Sequence, residues 1–265
     1  MAESLSSSND SSSWRAYVIN LDRSPDRWDA IATQLNDVGA DYERVTAIEG
    51  QSLLPDLDGL DQSAFDFRHG KTINPNELGC YLSHHKAIQT FMESDVQFGI
   101  ILEDDADLTA DFRATIEALI REAHRWDVAN LNGRHSGAPV PQCQLTQNNQ
   151  LVAFLFRRTG ARGYMINRKA GRLYCEKLLP MKVPYDHEFD RAWVYGFRFR
   201  GVVPAVVTGR PKAKAGTTIG YGPQHANASQ RKSQWRRGSV FLYRAANEVA
   251  RLTHYIARGL FIPRS

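Results

Sequence analysis

Phe98-Gly99-Ile100-Ile101-Leu102-Glu103-Asp104-Asp105-Ala106-Asp107 turns from apolar to acidic within one residue. The short apolar half predicts a buried central strand over Phe98–Leu102. Successive strand residues face opposite sides, so Glu103 and Asp105 share a face at the strand's carboxyl end and Asp104 takes the other. Ligands of open α/β sheets bind at that edge. The crowded carboxylates of Glu103, Asp104, Asp105 and Asp107 repel one another, and a divalent cation relieves the repulsion. Oxygen ligands favour Mg2+ or Mn2+, and Mg2+ completes its shell with water and phosphate oxygens. Capping of the following helix accounts for one or two acids, Asp104 and Asp107. It does not account for three in succession.

Upstream, Ala16–Leu21 reads as a buried strand. Ser24-Pro25 then opens a helix that stops at Gly39, with Ser as the cap and Pro in the first turn. Asp41–Ile48 reads as a second strand, and residues 51–72 as loop. Asn74 caps the next helix, with Glu77 three residues on as its capping-box partner. Downstream, a helix is expected over Asp107–Trp126 and strands over Asp127–Leu131, Leu151–Phe156, Gly163–Ile166 and Phe197–Val207. Helices are expected over Arg168–Leu179 and Asp186–Tyr195. This alternation predicts an α/β domain with a mostly parallel central sheet. No G-x-G-x-x-G or Walker loop is present, which counts against dinucleotide and P-loop chemistry.

The chain has 265 residues, is 42% hydrophobic and carries a net charge of +4. The small net charge hides a gradient: residues 1–150 hold 11 basic and 24 acidic side chains, and residues 151–265 hold 22 and 5. No apolar run reaches the ~18 residues of a membrane-spanning helix. Residues 1–13, rich in serine, read as a disordered segment without signal-peptide character. Three unpatterned cysteines, Cys80, Cys143 and Cys175, argue for a reducing, cytoplasmic setting rather than a disulfide framework. The expected division is 1–13 disordered, 14–207 catalytic and 208–265 a basic extension. Within the extension, residues 233–262 form an Arg-rich amphipathic helix. Such a helix suits the inner face of an anionic membrane, its own domain or a second subunit. No nucleic-acid module surrounds it.

Several segments together resemble glycosyltransferase family 25, the family of bacterial lipooligosaccharide galactosyltransferases and collagen galactosyltransferases. They are Val18-Ile19-Asn20-Leu21-Asp22-Arg23-Ser24 with Arg27, Arg44-Val45-Thr46-Ala47-Ile48-Glu49-Gly50, Glu77-Leu78-Gly79-Cys80-Tyr81-Leu82-Ser83-His84 with Lys86, and Ile101-Leu102-Glu103-Asp104-Asp105. Weaker matches follow at Gly163-Tyr164-Met165-Ile166 and Pro184-Tyr185-Asp186, and fade by Thr217-Thr218-Ile219. The resemblance implies a GT-A-like Rossmann-type domain and a UDP-hexose donor, usually UDP-galactose. It also implies metal-dependent inverting transfer to a saccharide or glycolipid acceptor.

On that basis Asp105 is the first expected metal ligand, with Glu103 helping, and Asp104 touches the donor's ribose or sugar. Asn20, Leu21, Asp22, Arg23 and Arg27 line the nucleotide, with Arg23 or Arg27 as a forked phosphate donor. Ala47 and Ile48 offer backbone groups to uracil, and Glu77, Ser83, His84 and Lys86 complete the donor site. Asp186 is the expected general base, with Asp190 one turn later in reserve. Helix capping competes for Glu77 and Asp186, and an ordinary buried histidine for His84. Two rival classes are a Mg2+-dependent phosphohydrolase or nucleotidyltransferase, and a non-catalytic sugar- or membrane-binding module.

Overall fold

The computed structural model describes residues 13–133, 137–210 and 234–258. In its first half, β1 (Trp14–Asn20), α1 (Pro25–Asp37), β2 (Tyr42–Thr46), α2 (Gln62–Arg68), α3 (Pro75–Glu93) and β3 (Phe98–Glu103) follow one another. They are succeeded by β4 (Ala106–Leu108), α4 (Phe112–Arg121), β5 (Val128–Asn130), β6 (Pro139–Gln144) and β7 (Gln150–Phe154). Next come β8 (Gly163–Asn167), α5 (Arg168–Lys177), α6 (Tyr185–Glu188) and α7 (Ala192–Tyr195). β9 (Phe199–Val203), β10 (Val207–Gly209) and α8 (Gln234–Arg258) complete the order.

One sheet is ordered β2-β1-β3-β8-β5-β9-β7-β6, and β4 pairs with β10 in a separate ribbon. β1, β2, β3, β5, β9 and β6 run one way, and β8 and β7 run against them. The result is the α/β, mostly parallel class expected. Alternation along the strands gives each sheet face its own core. Tyr17, Ile19 and Ile101 pack with Leu78, Ile88 and Phe91 of α3 on one side. Ala16, Val18, Ile100 and Leu102 pack with Ile31, Leu35, Ile116 and Leu119 of α1 and α4 on the other.

Close packing fixes α3 against the end of β2. A Cβ on Gly79 would lie 2.6 Å from the Ile48 carbonyl oxygen, and one on Gly50 would lie 2.2 Å from that of Pro75. Neither position has room for a side chain. Asn74 caps the helix at Asn76 N, 3.0 Å away. Gly39 takes φ +62° after α1, the left-handed stop that glycine accommodates.

Several expected boundaries move. Residues 51–72 are not all loop: a 3-10 turn covers Gly50–Leu53, and α2 starts after Asp61, which accepts from Ala64 N. Ser24 makes no side-chain cap, although Pro25 holds the first helical position. Asp107 caps nothing; it lies in β4 opposite Thr208, and the helix begins only at Phe112. The expected Asp186–Tyr195 helix is two short ones, and Phe197–Val207 divides into β9 and β10. Strand β6, over Pro139–Gln144, was not among the expected strands. It is an edge strand with a bulge between Pro141 and Cys143, where proline is tolerated.

The C-terminal helix packs on α2 and α7. Within it Arg251 is 3% exposed and grips Asp190, with Nη1–Oδ2 at 2.9 Å and Nη2–Oδ1 at 3.2 Å. Phe241, Leu242, Val249, Leu252 and Ile256 remain exposed. Among the described residues no helix is long and apolar enough to cross a membrane.

Removing one member of a fully buried pair strands the other charge, at a cost of about 3–5 kcal/mol. Arg251→Ala is therefore expected to lower unfolding stability by about that much in urea, and the double variant Arg251→Met/Asp190→Leu to recover most of it. A loss below about 1 kcal/mol, the ordinary surface-pair value, would show that α8 contributes little to the fold.

Candidate active site

At the carboxyl end of β1 the Asn20 amide, 1% exposed, uses both its ends. Its Nδ2 donates to Ser24 O at 3.0 Å and to Asp104 Oδ2 at 2.8 Å. Its Oδ1 accepts from Arg44 Nε and Nη2 at 2.9 and 2.7 Å. Arg44 reaches on to Asp22 at 2.9 Å, and Arg27 Nη1 holds Asp104 Oδ1 at 3.1 Å. Burial raises the Asp104 carboxyl, and the bonds from Asn20 and Arg27 act against it. Arg23 sits further out, paired with exposed Glu49 at 2.8 Å. Leu21 follows β1 and receives Ser24 N on its carbonyl at 2.9 Å.

Of the backbone groups of Ala47 and Ile48, the N–H groups serve the fold. Ala47 N donates to Asn20 O at 2.9 Å, and Ile48 N to Ser83 Oγ at 2.8 Å. Both N–H groups are already committed. Ser83 itself donates to Gly79 O at 2.6 Å, and Lys86 Nζ donates to Thr46 O at 2.9 Å. These two side chains therefore tie α3 to the β2 end. The helix face beyond them carries Cys80 and His84 toward Glu103.

His84, 1% exposed, stacks on Tyr185 at 4.0 Å with 4° between the rings. Its Nδ1 lies 3.2 Å from Tyr164 Oη, and its Nε2 lies 3.4 Å from Glu103 Oε1. Tyr164 and Tyr185 hydroxyls meet at 2.7 Å. The imidazole is thus held in orientation, with one nitrogen toward Glu103. One ligand atom each of Cys80, His84 and Glu103 lie within 4.8 Å of one another. Burial raises the Cys80 thiol well above its usual range, and the carboxylates of Glu103, Asp186, Glu77 and Asp105 push it further. Glu103 is the last residue of β3, so Asp105 lies in the turn beyond it and not at the next position of the strand face.

These acids have different partners. Arg162 holds both oxygens of Asp105, Nε–Oδ1 at 2.8 Å and Nη2–Oδ2 at 3.0 Å. Glu77 is raised by burial, against Lys71 and its capping bond from Asn74. Asp186, its side chain 43% exposed, stands 3.7 Å from His187 Nε2. Asp190 does not join them: fully buried against Arg251, it is a structural ion and no reserve base. Sequence reasoning assigned no role to Arg44, Cys80, Arg162, Tyr164 or Tyr185. All but Arg162 stand inside the matched motifs, which was the available signal.

Residues 14–189 match the family model described as "Glycosyltransferase family 25 (LPS biosynthesis protein)". A "Glycosyltransferase 25 family member" of Aedes aegypti is 25% identical over 208 residues, covering 71% of this chain and 33% of that protein. "Procollagen galactosyltransferase 1" of Danio rerio is 24% identical, covering 64% and 30%. "Probable inactive glycosyltransferase 25 family member 3" of Bos taurus is 27% identical, covering 52% and 24%. The chain thus spans a third or less of the length of these curated relatives. Among solved structures, A197 from STIV aligns with a TM-score of 0.37 at 13% identity, covering 71% of this chain and 80% of that one. The family model accounts for more than half of the residues, and the chain belongs to glycosyltransferase family 25.

Proposed function

We propose that this glycosyltransferase moves a hexose, in the first instance galactose, from a UDP-sugar to a hydroxyl of a saccharide acceptor, with inversion. The acceptor belongs to lipopolysaccharide, lipooligosaccharide or another surface glycan. The observation that carries this reading is the cluster of Cys80, His84 and Glu103, whose ligand atoms lie within 4.8 Å of one another, at the sheet edge that also holds the Asn20–Asp104–Arg27 network. The family description names LPS biosynthesis, and one relative's name specifies galactose.

In this reading the rigid network from Asn20 to Asp104 forms the donor's floor. Arg23, outside that network and half-exposed, turns to the diphosphate as a forked donor. Asp186 takes the acceptor proton, since inversion needs one general base beside the attacking hydroxyl. Tyr164 and Tyr185 keep His84 in place beneath the sugar. A divalent cation, when bound, neutralises charge on the leaving diphosphate. Glu103 and His84 are the residues that would hold it, because Asp105 is engaged by Arg162 and a soft thiolate such as that of Cys80 is a poor ligand for Mg2+ or Mn2+. A carboxylate with an oriented imidazole suits Mn2+ better than Mg2+. Exposed apolar side chains along α8 support peripheral attachment to the inner, cytoplasmic membrane face.

A non-catalytic reading has specific support of its own, in the Arg162 grip on Asp105 and in a relative named as inactive. UDP with Mn2+ is expected to raise the thermal midpoint, and UDP alone to raise it less. Glu103→Gln should erase the metal-dependent part without unfolding the chain. Asp186→Asn should lower kcat about 10²–10⁴-fold while leaving UDP affinity near that of the parent. Absence of any response to UDP would sink the transferase reading, and parent-like turnover by Asp186→Asn would remove Asp186 as the base. For membrane attachment, vesicles containing anionic lipid should retain the parent chain in a flotation assay and lose the Leu242→Glu/Val249→Glu variant. Equal retention would refute α8 as the attachment surface.

A further inference from the structure

The second half's positive charge gathers at one enclosed place beside the acceptor-side carboxylate. Three segments meet there: His69 just after α2, Arg157 after β7, and His187 on α6. His69 is 5% exposed, and its ring lies 5.0 Å from Phe65 and 5.3 Å, edge-on, from His187. Neither His69 nitrogen has a hydrogen-bond partner among the described residues. Nε and Nη2 of Arg157 are also buried and unpartnered among them. Those two atoms form one edge of the guanidinium, the same edge with which Arg162 holds both oxygens of Asp105.

Charge around the pair of imidazoles is mostly positive. Burial, then Lys71, Arg244 and Arg157, lowers His69 to about 4. Burial, then Arg157, with His69, Arg244 and Lys71 behind it, lowers His187 to about 2. Arg157 itself feels acids: Asp190 and Asp186, with Glu248 behind them, act on it, and of these Asp190 and Glu248 are paired with Arg251. Asp186 stands at the edge of the cluster, 3.7 Å from His187.

A guanidinium has only donors, and a neutral imidazole one donor and one acceptor. Buried groups of these kinds find partners. A water molecule could satisfy an imidazole. A free side-on fork with two further cations beside it selects a planar or tetrahedral oxyanion. Asp186, 3.7 Å from His187, puts that anion on the acceptor's side.

We propose that Arg157, His69 and His187, rimmed by Lys71 and Arg244, form a subsite for an oxyanion, phosphate or carboxylate, carried by the saccharide acceptor. The assignment to an acceptor rests on Asp186 being the base of the proposed transfer.

The test uses the full chain, with the imidazole resonances of His69 and His187 followed by NMR. Inorganic phosphate is titrated in one arm and acetate in a second, each with and without saturating UDP and Mn2+. The expected result is a saturable shift of both imidazoles that UDP does not displace. Response to phosphate alone identifies a phosphate subsite, and response to acetate as well a carboxylate one. Arg157→Gln should weaken binding at least about tenfold, the loss expected for a forked charge-assisted contact. The surface pair Lys71→Ala/Arg244→Ala should weaken it too, with the thermal midpoint unchanged. Unmoved imidazoles, or binding indifferent to Arg157→Gln, would overturn the subsite. Displacement of phosphate by UDP would reassign the cluster to the donor. Phosphate binding in a chain that binds no UDP would uphold the oxyanion site and overturn its link to an acceptor.

Discussion

The buried Asn20 amide is the constraint from which the rest of the site hangs. Its side chain joins four segments at once: its own strand β1, the Ser24 turn before α1, Arg44 on β2 and Asp104 after β3. Its carbonyl adds a fifth tie, to Ala47. An amide has a fixed set of donors and acceptors, so this junction tolerates few alternatives. An aspartate there would face Asp104 with a second negative charge, and an apolar residue would leave Asp104 half-paired in a buried setting. The junction sets where three parallel strands end, and so the edge at which a ligand can lie.

From that edge, the two glycines determine how near α3 comes. With no side chain at Gly79 or Gly50, the first turns of the helix rest on the backbone of residues 48–50 and on Pro75. Ser83 and Lys86 then spend their polar atoms on the β2 end. The helix face left over carries Cys80 and His84 to Glu103. The motif that reads as one functional block thus divides its labour. Gly79, Ser83 and Lys86 place the helix, and Cys80 and His84 face Glu103.

How much was legible follows from how local each cause is. The apolar run before Glu103, Pro25 in the first turn of α1, Asn74 as a cap and Gly39 after α1 are short-range signals, and the elements they mark appear where expected. Asp107 was misread because its strand exists only through β10, about a hundred residues later. Arg162 carried no signal, since its pairing with Asp105 spans 57 positions and depends on β8 lying beside β3. The Asp186–Asp190 face required a continuous helix. The chain breaks after Glu188 and resumes at Ala192, which turns Asp190 inward to a residue on α8.

The same long-range pairing changes the meaning of the charge gradient. An acidic first half and a basic second half suggested that the excess on each side awaited external partners. Much of it is instead answered across the fold: Asp105 by Arg162, and Asp127 by Arg198 and Lys169. Asp127 shows how strongly, since burial would raise its carboxyl and the Arg198 bonds nonetheless hold it at about 2. Charge that finds an internal partner says nothing about a ligand. What distinguishes Arg157 is that one edge of its guanidinium is buried with no partner among the described residues, although Asp190, Asp186 and Glu248 bear on it, while Asp190 and Glu248 are both held by Arg251. Gross charge was a poor guide to partners, and the unanswered remainder is the better one.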